Sequence, residues 1–281
     1  MALDLGLEGK VAVVTGAGGN LGRAVAQALL DQGVRVVAHD RDAGALAWAE
    51  GLPGVVPAVG DVTLAQDNEA MARAAVDTFG ALDIAVLNAG VAGGPGIEEP
   101  GAVARFQEVM SINLGGVFLG MRACLPVMRE RGGGAIVAMS SVEGLGGSPG
   151  LYAYNTSKAA ILNLVRAVAM DYAASGVRVN AVCPGMVAPA NPEASSPAAR
   201  EVHRVVTANI PMGRPARADE VGDAVVFLSS ARASYITGEA LCVDGGVRAR
   251  TGSFPPRAAG APAGFDGASM RASAGTHAHE D

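Results

Sequence analysis

Cysteine is scarce. Cys124, Cys183 and Cys242 are the only three in 281 residues, scattered and each set in an apolar segment, which excludes a disulfide framework and reads as buried thiol in a reducing compartment. Clusters of basic residues are also missing. Lys and Arg total 21 against 27 Asp and Glu, for a net charge of −6 and a pI near 5.3, so the chain has no electrostatic footprint for a nucleic-acid backbone. Met1 to Lys10 hold Asp4 and Glu8 and lack a basic start followed by an apolar core, so no secretory leader is expected. The apolar stretch after Tyr154 is interrupted by Asn163 and Arg166 and reads as a core helix, not a membrane span. His277 and His279, near the end of the chain, lie without a nearby thiol on a tail whose composition does not fix a ligand geometry, so no metal is expected. A cytoplasmic protein that binds neither nucleic acid nor membrane is left, with 50% apolar residues to fill a large core.

Short apolar runs alternate with helical patterns along most of the chain. Strands are expected at Val11 to Thr15, Val34 to His39, Val55 to Val59, Ile84 to Asn88, Ala135 to Ser140, Arg178 to Cys183 and Ala240 to Val243. Seven such strands separated by helices predict an α/β fold, a doubly wound parallel sheet covered by helices on both faces, with ligands collecting at the strands' carboxyl ends. Thr63-Leu64-Ala65-Gln66 reads as a capping box opening a helix that stops at Gly80. Residues 1–247 are expected to form one domain. The segment 248–281, rich in alanine, glycine, proline and arginine, lacks apolar periodicity, and its composition predicts disorder. Phe254-Pro255-Pro256 within it is suited to docking on a neighbouring subunit or capping a pocket, since an aromatic followed by two prolines loses little entropy on binding.

Tyr154 and Lys158 stand four apart, one turn above each other on a helix, with Ser141 thirteen positions upstream. An ammonium near a phenol lowers a pKa that is ordinarily about 10, so the pair predicts a proton-transfer site. Nearer the N-terminus, Val11-Ala12-Val13-Val14 runs into Thr15-Gly16-Ala17-Gly18-Gly19-Asn20-Leu21-Gly22. Strand, glycine-rich turn and helix start together form a cradle for a pyrophosphate, which is drawn to the free amides and the positive helix end. Asp40 closes the second strand, 18 residues beyond Gly22, where a carboxylate accepts hydrogen bonds from the adenosine ribose and repels a 2′-phosphate. That favours NAD over NADP. Arg41 beside it is read as solvated between Asp40 and Asp42.

Together these residues resemble the short-chain dehydrogenase/reductase family in its single-domain branch, from about Leu7 to Val247. Thr15, Gly16 and Gly22 match Thr-Gly-x-x-x-Gly-x-Gly, with Asn20 in place of the second glycine. Asparagine tolerates left-handed backbone, which makes that departure mild. Asp61-Val62 resembles the adenine-holding motif, Asn88-Ala89-Gly90 resembles Asn-Asn-Ala-Gly with Leu87 for its first asparagine, and Pro184-Gly185 matches the motif after the sixth strand. Pro189 stands where the family often has a threonine. The resemblance implies a Rossmann-like fold, the catalytic tetrad Asn113, Ser141, Tyr154 and Lys158, and a dinucleotide site built from Gly16, Gly19, Asn20, Leu21, Gly22, Asp40, Arg41, Asp61, Val62, Asn88, Ala89, Gly90, Tyr154, Lys158, Pro184, Gly185 and Val187. Tyr154 would act as general acid/base, Ser141 would orient the substrate oxygen, Lys158 would hold the nicotinamide ribose, and Asn113 would fix a water. Ser140 is expected to face away.

The implied activity is NAD-dependent interconversion of a secondary alcohol and a ketone. The alternatives are an NADPH-favouring ketoreductase and a non-catalytic dinucleotide sensor. Gly93, Gly94 and Leu151 are expected to line a small, apolar substrate pocket, with Met186 to Arg214 as its lid; Glu143 is read as a loop carboxylate. The resemblance also implies a homotetramer, joined through helices at Val103 to Arg129 and Tyr154 to Ala173 and through the last strand; Val165, Val168, Ala169 and Tyr172 are available for that contact or for packing on the subunit's own sheet, which periodicity alone does not separate.

Overall fold

A computed structural model describes residues 4–191, 193 and 196–250. The readings for Phe254-Pro255-Pro256, His277 and His279 lie outside the described residues. The chain runs β1 (Val11–Thr15), α1 (Asn20–Leu30), β2 (Arg35–Asp40), β3 (Val55–Val59), α2 (Ala65–Phe79), β4 (Ile84–Leu87), α3 (Ala102–Met110), α4 (Gly116–Glu130), β5 (Gly134–Met139), α5 (Tyr152–Tyr172), β6 (Val177–Pro184), α6 (Pro197–Thr207), α7 (Ala218–Ser229) and β7 (Ala240–Val243). The seven strands form one sheet in the order β3-β2-β1-β4-β5-β6-β7, every neighbouring pair parallel. Chain order reverses direction across the sheet between β1 and β4. A crevice opens there at the strands' carboxyl ends, because the connections leave β1 and β4 towards opposite flanks.

Strand alternation sends neighbouring residues to opposite layers. Val11 and Val13 pack with Met71, Met121, Ile161 and Val165 of α2, α4 and α5. Ala12 and Val14, one residue out of step, pack with Val25, Leu29, Val221 and Val225 of α1 and α7. The strands therefore read as continuous apolar runs, since both faces are covered. A fully buried Val or Leu side chain contributes roughly 1.5–3 kcal/mol.

Three local expectations fail for identifiable reasons. Thr63 does not cap α2. The helix starts from Leu64 without a side-chain cap, because the Thr63 hydroxyl and amide both donate to Asp61 Oδ1 at 2.8 Å. The other end is as expected, with Gly80 left-handed at φ 78° and donating to Val76 O. The helix expected over Val103 to Arg129 is interrupted by a π turn at Ser111–Gly115, although residues 102–130 remain one rod long and apolar enough to cross a membrane; its buried side chains, among them Val117, Met121 and Cys124, pack into the sheet's core. Asn20 needs no left-handed backbone: it is the first residue of α1, and no described non-glycine residue has positive φ.

The contact residues anticipated on α5 also divide differently. Val165 and Ala169 are buried in the subunit's own core, and Val168 and Tyr172 pack against it. Phe118 on α4 and Tyr152 and Met170 on α5 are the large apolar side chains left exposed on these two helices.

Candidate active site

The glycine-rich turn after β1 is shaped by contacts that no side chain fits. A Cβ on Gly22 would lie 2.0 Å from the Gly16 carbonyl oxygen, and one on Gly16, whose φ is +66°, would lie 2.9 Å from Ala89 Cα. The turn thus packs against the residues after β4. Thr15 joins the two strands across the crevice, its hydroxyl accepting from the amides of Asn88 at 2.9 Å and Ala89 at 3.1 Å, while Asn88 Nδ2 donates back to Thr15 O at 3.0 Å. Trp48 Nε1 donates to Ala17 O at 3.1 Å and pins the turn from the other side.

A cavity of about 550 Å³ follows this rim. Of the residues expected at a dinucleotide site, Gly16, Gly19, Leu21, Gly22, Asp40, Arg41, Asp61, Val62, Asn88, Ala89, Gly90, Tyr154, Lys158, Pro184, Gly185 and Val187 line it, and so does Ser141. Two do not. Asn20 turns to the Ala188 carbonyl. Asn113 is fully buried and spends its amide internally: Oδ1 accepts from Val91 N at 2.8 Å, and Nδ2 donates to Val91 O and Ser157 Oγ, both at 2.9 Å. Its side chain therefore positions the strand-end segment against α5, with both amide protons used and one acceptor position left on Oδ1. The π turn that holds it has no signature in apolar spacing, which is why the pattern reads as one helix.

The cavity fits an adenine dinucleotide. Asp40 Oδ2 accepts from Gly18 N at 3.0 Å and Oδ1 from Asp42 N at 3.1 Å, so the carboxylate is fixed at the rim beside the turn. Asp61 is held below the usual carboxylate range by two hydrogen bonds from Thr63. His39, a lining residue with no obvious signal in the sequence, is 1% exposed, and neither ring nitrogen has a hydrogen-bond partner among the described residues. Burial lowers its pKa despite the nearby Asp40, Asp67 and Asp61, so it adds no positive charge at this end.

At the opposite end, Ser141, Tyr154 and Lys158 share one wall. The Ser141 hydroxyl accepts from Glu143 N at 3.2 Å, which leaves its proton free to donate. Ser140 Oγ donates to Lys158 O at 2.8 Å and so points into α5, as strand alternation predicts, although Ser140 also touches the cavity. Gly144 lets the following loop close on α5, since a Cβ there would lie 2.7 Å from the Lys158 carbonyl. Lys158 Nζ donates to Met139 O at 2.7 Å and lies 5.5 Å from the Tyr154 ring centre.

Burial of this ammonium lowers its pKa to about 8. Tyr154 moves opposite to the sequence-based expectation: burial raises its pKa, Ser141 counters by a hydrogen bond, and the Glu143 charge raises it further. Burial and the Glu143 charge therefore outweigh whatever lowers the phenol's pKa in this site. Glu143 is less free than a solvated loop residue, since Ser148 donates to its carboxylate at 2.9 Å.

Gly93 and Gly94 border a separate apolar cavity of about 520 Å³ with Ile97, Phe106 and Tyr152; Leu151 is not among its lining residues. The segment expected as a lid carries α6, and its start is tied down by the parallel bridge between Val187 and Ala216.

Comparison with known proteins agrees with this geometry. The profile described as enoyl-(acyl carrier protein) reductase matches residues 16–248. The chain is 40% identical over 254 residues to 2-(R)-hydroxypropyl-CoM dehydrogenase of Xanthobacter autotrophicus, covering 85% of this chain and 99% of that protein. It is 40% identical over 258 residues to cis-4-hydroxycyclohexanecarboxylate dehydrogenase of Sinomonas cyclohexanicum, covering 85% and 97%. The crystal structure of gox2181 superposes with a TM-score of 0.81 at 32% identity, over 86% of this chain and 97% of the other. The chain belongs to the short-chain dehydrogenase/reductase family, oxidoreductases that work with a nicotinamide dinucleotide.

Proposed function

We propose that this protein is an NAD-dependent dehydrogenase that interconverts a secondary alcohol and a ketone. The observation that carries the reading is the convergence of Ser141, Tyr154 and Lys158 on one wall of a cavity whose other end holds the fixed carboxylate of Asp40. The nicotinamide, when bound, supplies the hydride acceptor. Tyr154 takes the hydroxyl proton of the alcohol, and Ser141 donates to the same oxygen, a preorganised contact that stabilises developing charge. Lys158 binds the nicotinamide ribose. Asn113 holds Val91 and α5 in place. The relatives named as dehydrogenases of 2-(R)-hydroxypropyl-CoM and cis-4-hydroxycyclohexanecarboxylate support a secondary alcohol as substrate.

The test is NADH formation, followed by absorbance, with cyclic, aryl and polyol secondary alcohols, run in parallel with NADP. Turnover with NAD supports the reading; no turnover with either cofactor, despite measurable NAD binding, points to a sensor. Arg41, exposed and lining the same cavity, favours the second reading, an NADPH-dependent ketoreductase, if it outweighs Asp40. Asp40→Ala decides between them. Loss of charge-assisted hydrogen bonds, about 1.5–3 kcal/mol, is expected to weaken NAD binding by roughly 10- to 100-fold and to relax discrimination against NADP, read by titrating both cofactors. An unchanged preference would remove Asp40 from the role.

The reading extends to a single domain over residues 1–247, a cytoplasmic location, and a homotetramer formed through α4 and α5, supported by exposed Phe118 and Met170. Light scattering on the purified chain tests the tetramer.

A further inference from the structure

Asn20 sits between Gly19 and Leu21, both of which line the cavity, yet its own side chain reaches out of it. Its Nδ2 donates to the carbonyl oxygen of Ala188 at 2.9 Å, across 168 positions of sequence. Ala188 follows Val187, which lines the cavity beyond Pro184 and Gly185. On its far edge this segment is already paired, with Ala188 N donating to Ala216 O at 2.8 Å and Ala216 N to Met186 O at 2.9 Å. Its near edge meets the glycine-rich turn through Asn20. Pro189 adds to the arrangement, because a residue before proline is restricted to extended backbone, which limits the directions the Ala188 carbonyl can take.

Asn20 does nothing evident for its own helix. The backbone there is ordinary, and α1 starts from Gly19 without a side-chain cap. The bond instead spans two walls of one crevice, the turn that cradles a pyrophosphate and the strand-end segment beside Gly185. A dinucleotide running from Asp40 to Tyr154 passes both walls.

We propose that Asn20 is a positioning residue, a latch that ties the phosphate-binding turn to the segment after β6 and retards release of the bound dinucleotide. The proposal rests on the dinucleotide reading above. A neutral hydrogen bond at the surface has a small net worth against water, so the latch sets a rate and an affinity by several-fold and leaves the chemical step alone. With Asp40 taken as the adenosine end, the latch acts on a ligand long enough to reach the segment after β6 and not on ADP alone.

The experiment compares wild type with Asn20→Ala and Asn20→Gly. NADH release is measured by stopped-flow fluorescence, hydride transfer in a single turnover, and ADP affinity by calorimetry. The latch predicts NADH release roughly five-fold faster in both variants, hydride transfer within about two-fold of wild type, and unchanged ADP affinity. Unchanged NADH release in both variants would overturn it. So would an equal loss of ADP affinity, since that reports a damaged turn. If wild type binds ADP but not NADH, the dinucleotide reading fails and the latch with it, whereas a failed latch alone leaves wild-type NADH binding and turnover intact.

Discussion

Tyr154→Phe is expected to lower turnover by roughly 10²- to 10⁴-fold, the range of a positioned acid/base group, with NAD affinity within about two-fold of wild type. The ring keeps its place on α5, so only the hydroxyl and its hydrogen bond with Ser141 are lost, at about 1 kcal/mol of stability. The pH profile gives a second readout. Alcohol oxidation needs the phenolate, and burial with the Glu143 charge raises the Tyr154 pKa above its ordinary 10. In the free enzyme, kcat/KM for oxidation therefore rises with pH through the alkaline range, and Glu143→Gln moves that limb to lower pH by removing one of its causes. The residual activity of Tyr154→Phe lacks the limb. Turnover retained in this variant, with the same profile, would assign the proton transfer elsewhere.

Lys158→Met is expected to lower turnover by a similar factor and also to change how stability depends on pH. Lys158 is one of two lysines in the chain, 4% exposed, with its pKa lowered from 10.5 to about 8. Between these values the unfolded chain binds the proton and the folded one has released it, so the lysine makes stability rise with pH across that window; below about pH 8 its full cost is present. Thiols act in the opposite direction. Burial raises Cys183 from 9.0 to about 11 and Cys124 to about 12, so both make stability fall as pH rises above 9, where only the unfolded thiols ionise. The lysine contribution is isolated by subtraction. The stability of wild type minus that of Lys158→Met, from urea unfolding at several pH values, should rise from about pH 8 to pH 10. A flat difference would mean that the ammonium is not buried in the folded protein.

Much of this site was legible because its chemistry needs particular residue types at short spacing. Gly16 and Gly22 approach the backbone where a Cβ would collide, and glycine in that pattern after an apolar strand has few other uses. Tyr154 and Lys158 are tied by one helical turn. Asp40 ends a strand next to the turn, so its placement follows from strand length alone. Elements with uniform apolar content were read equally well: β1, β3 and β7 match the expected bounds, and the other four differ by one residue at one or both ends. The π turn at Ser111–Gly115 was not legible, since it is set by where Asn113 must reach Val91 and not by any local preference.

The misread details share a cause. Thr63, with a good capping sequence, was claimed by Asp61, a competing partner two residues away. Val165 and Ala169 were not misread but left open, and they took the core role that periodicity alone does not separate from an interface role. The shift at Tyr154 had the wrong sign, because charge proximity was visible in the spacing while the burial of Tyr154 itself and the approach of Glu143 were not.

By itself, then, the sequence determined the parallel sheet, the glycine-rich turn and the identity of the reacting side chains, all of which depend on periodicity, backbone freedom and contacts within one turn or strand. Tertiary structure alone decided which groups remain free once folded. The Asn113 amide protons go to Val91 and Ser157, Asn20 donates to Ala188, the His39 ring has no hydrogen-bond partner among the described residues, and the pKa shifts of Lys158 and Tyr154 follow their burial. Hydrogen-bond partners and desolvation are set by residues far away in the chain, and no local pattern encodes them.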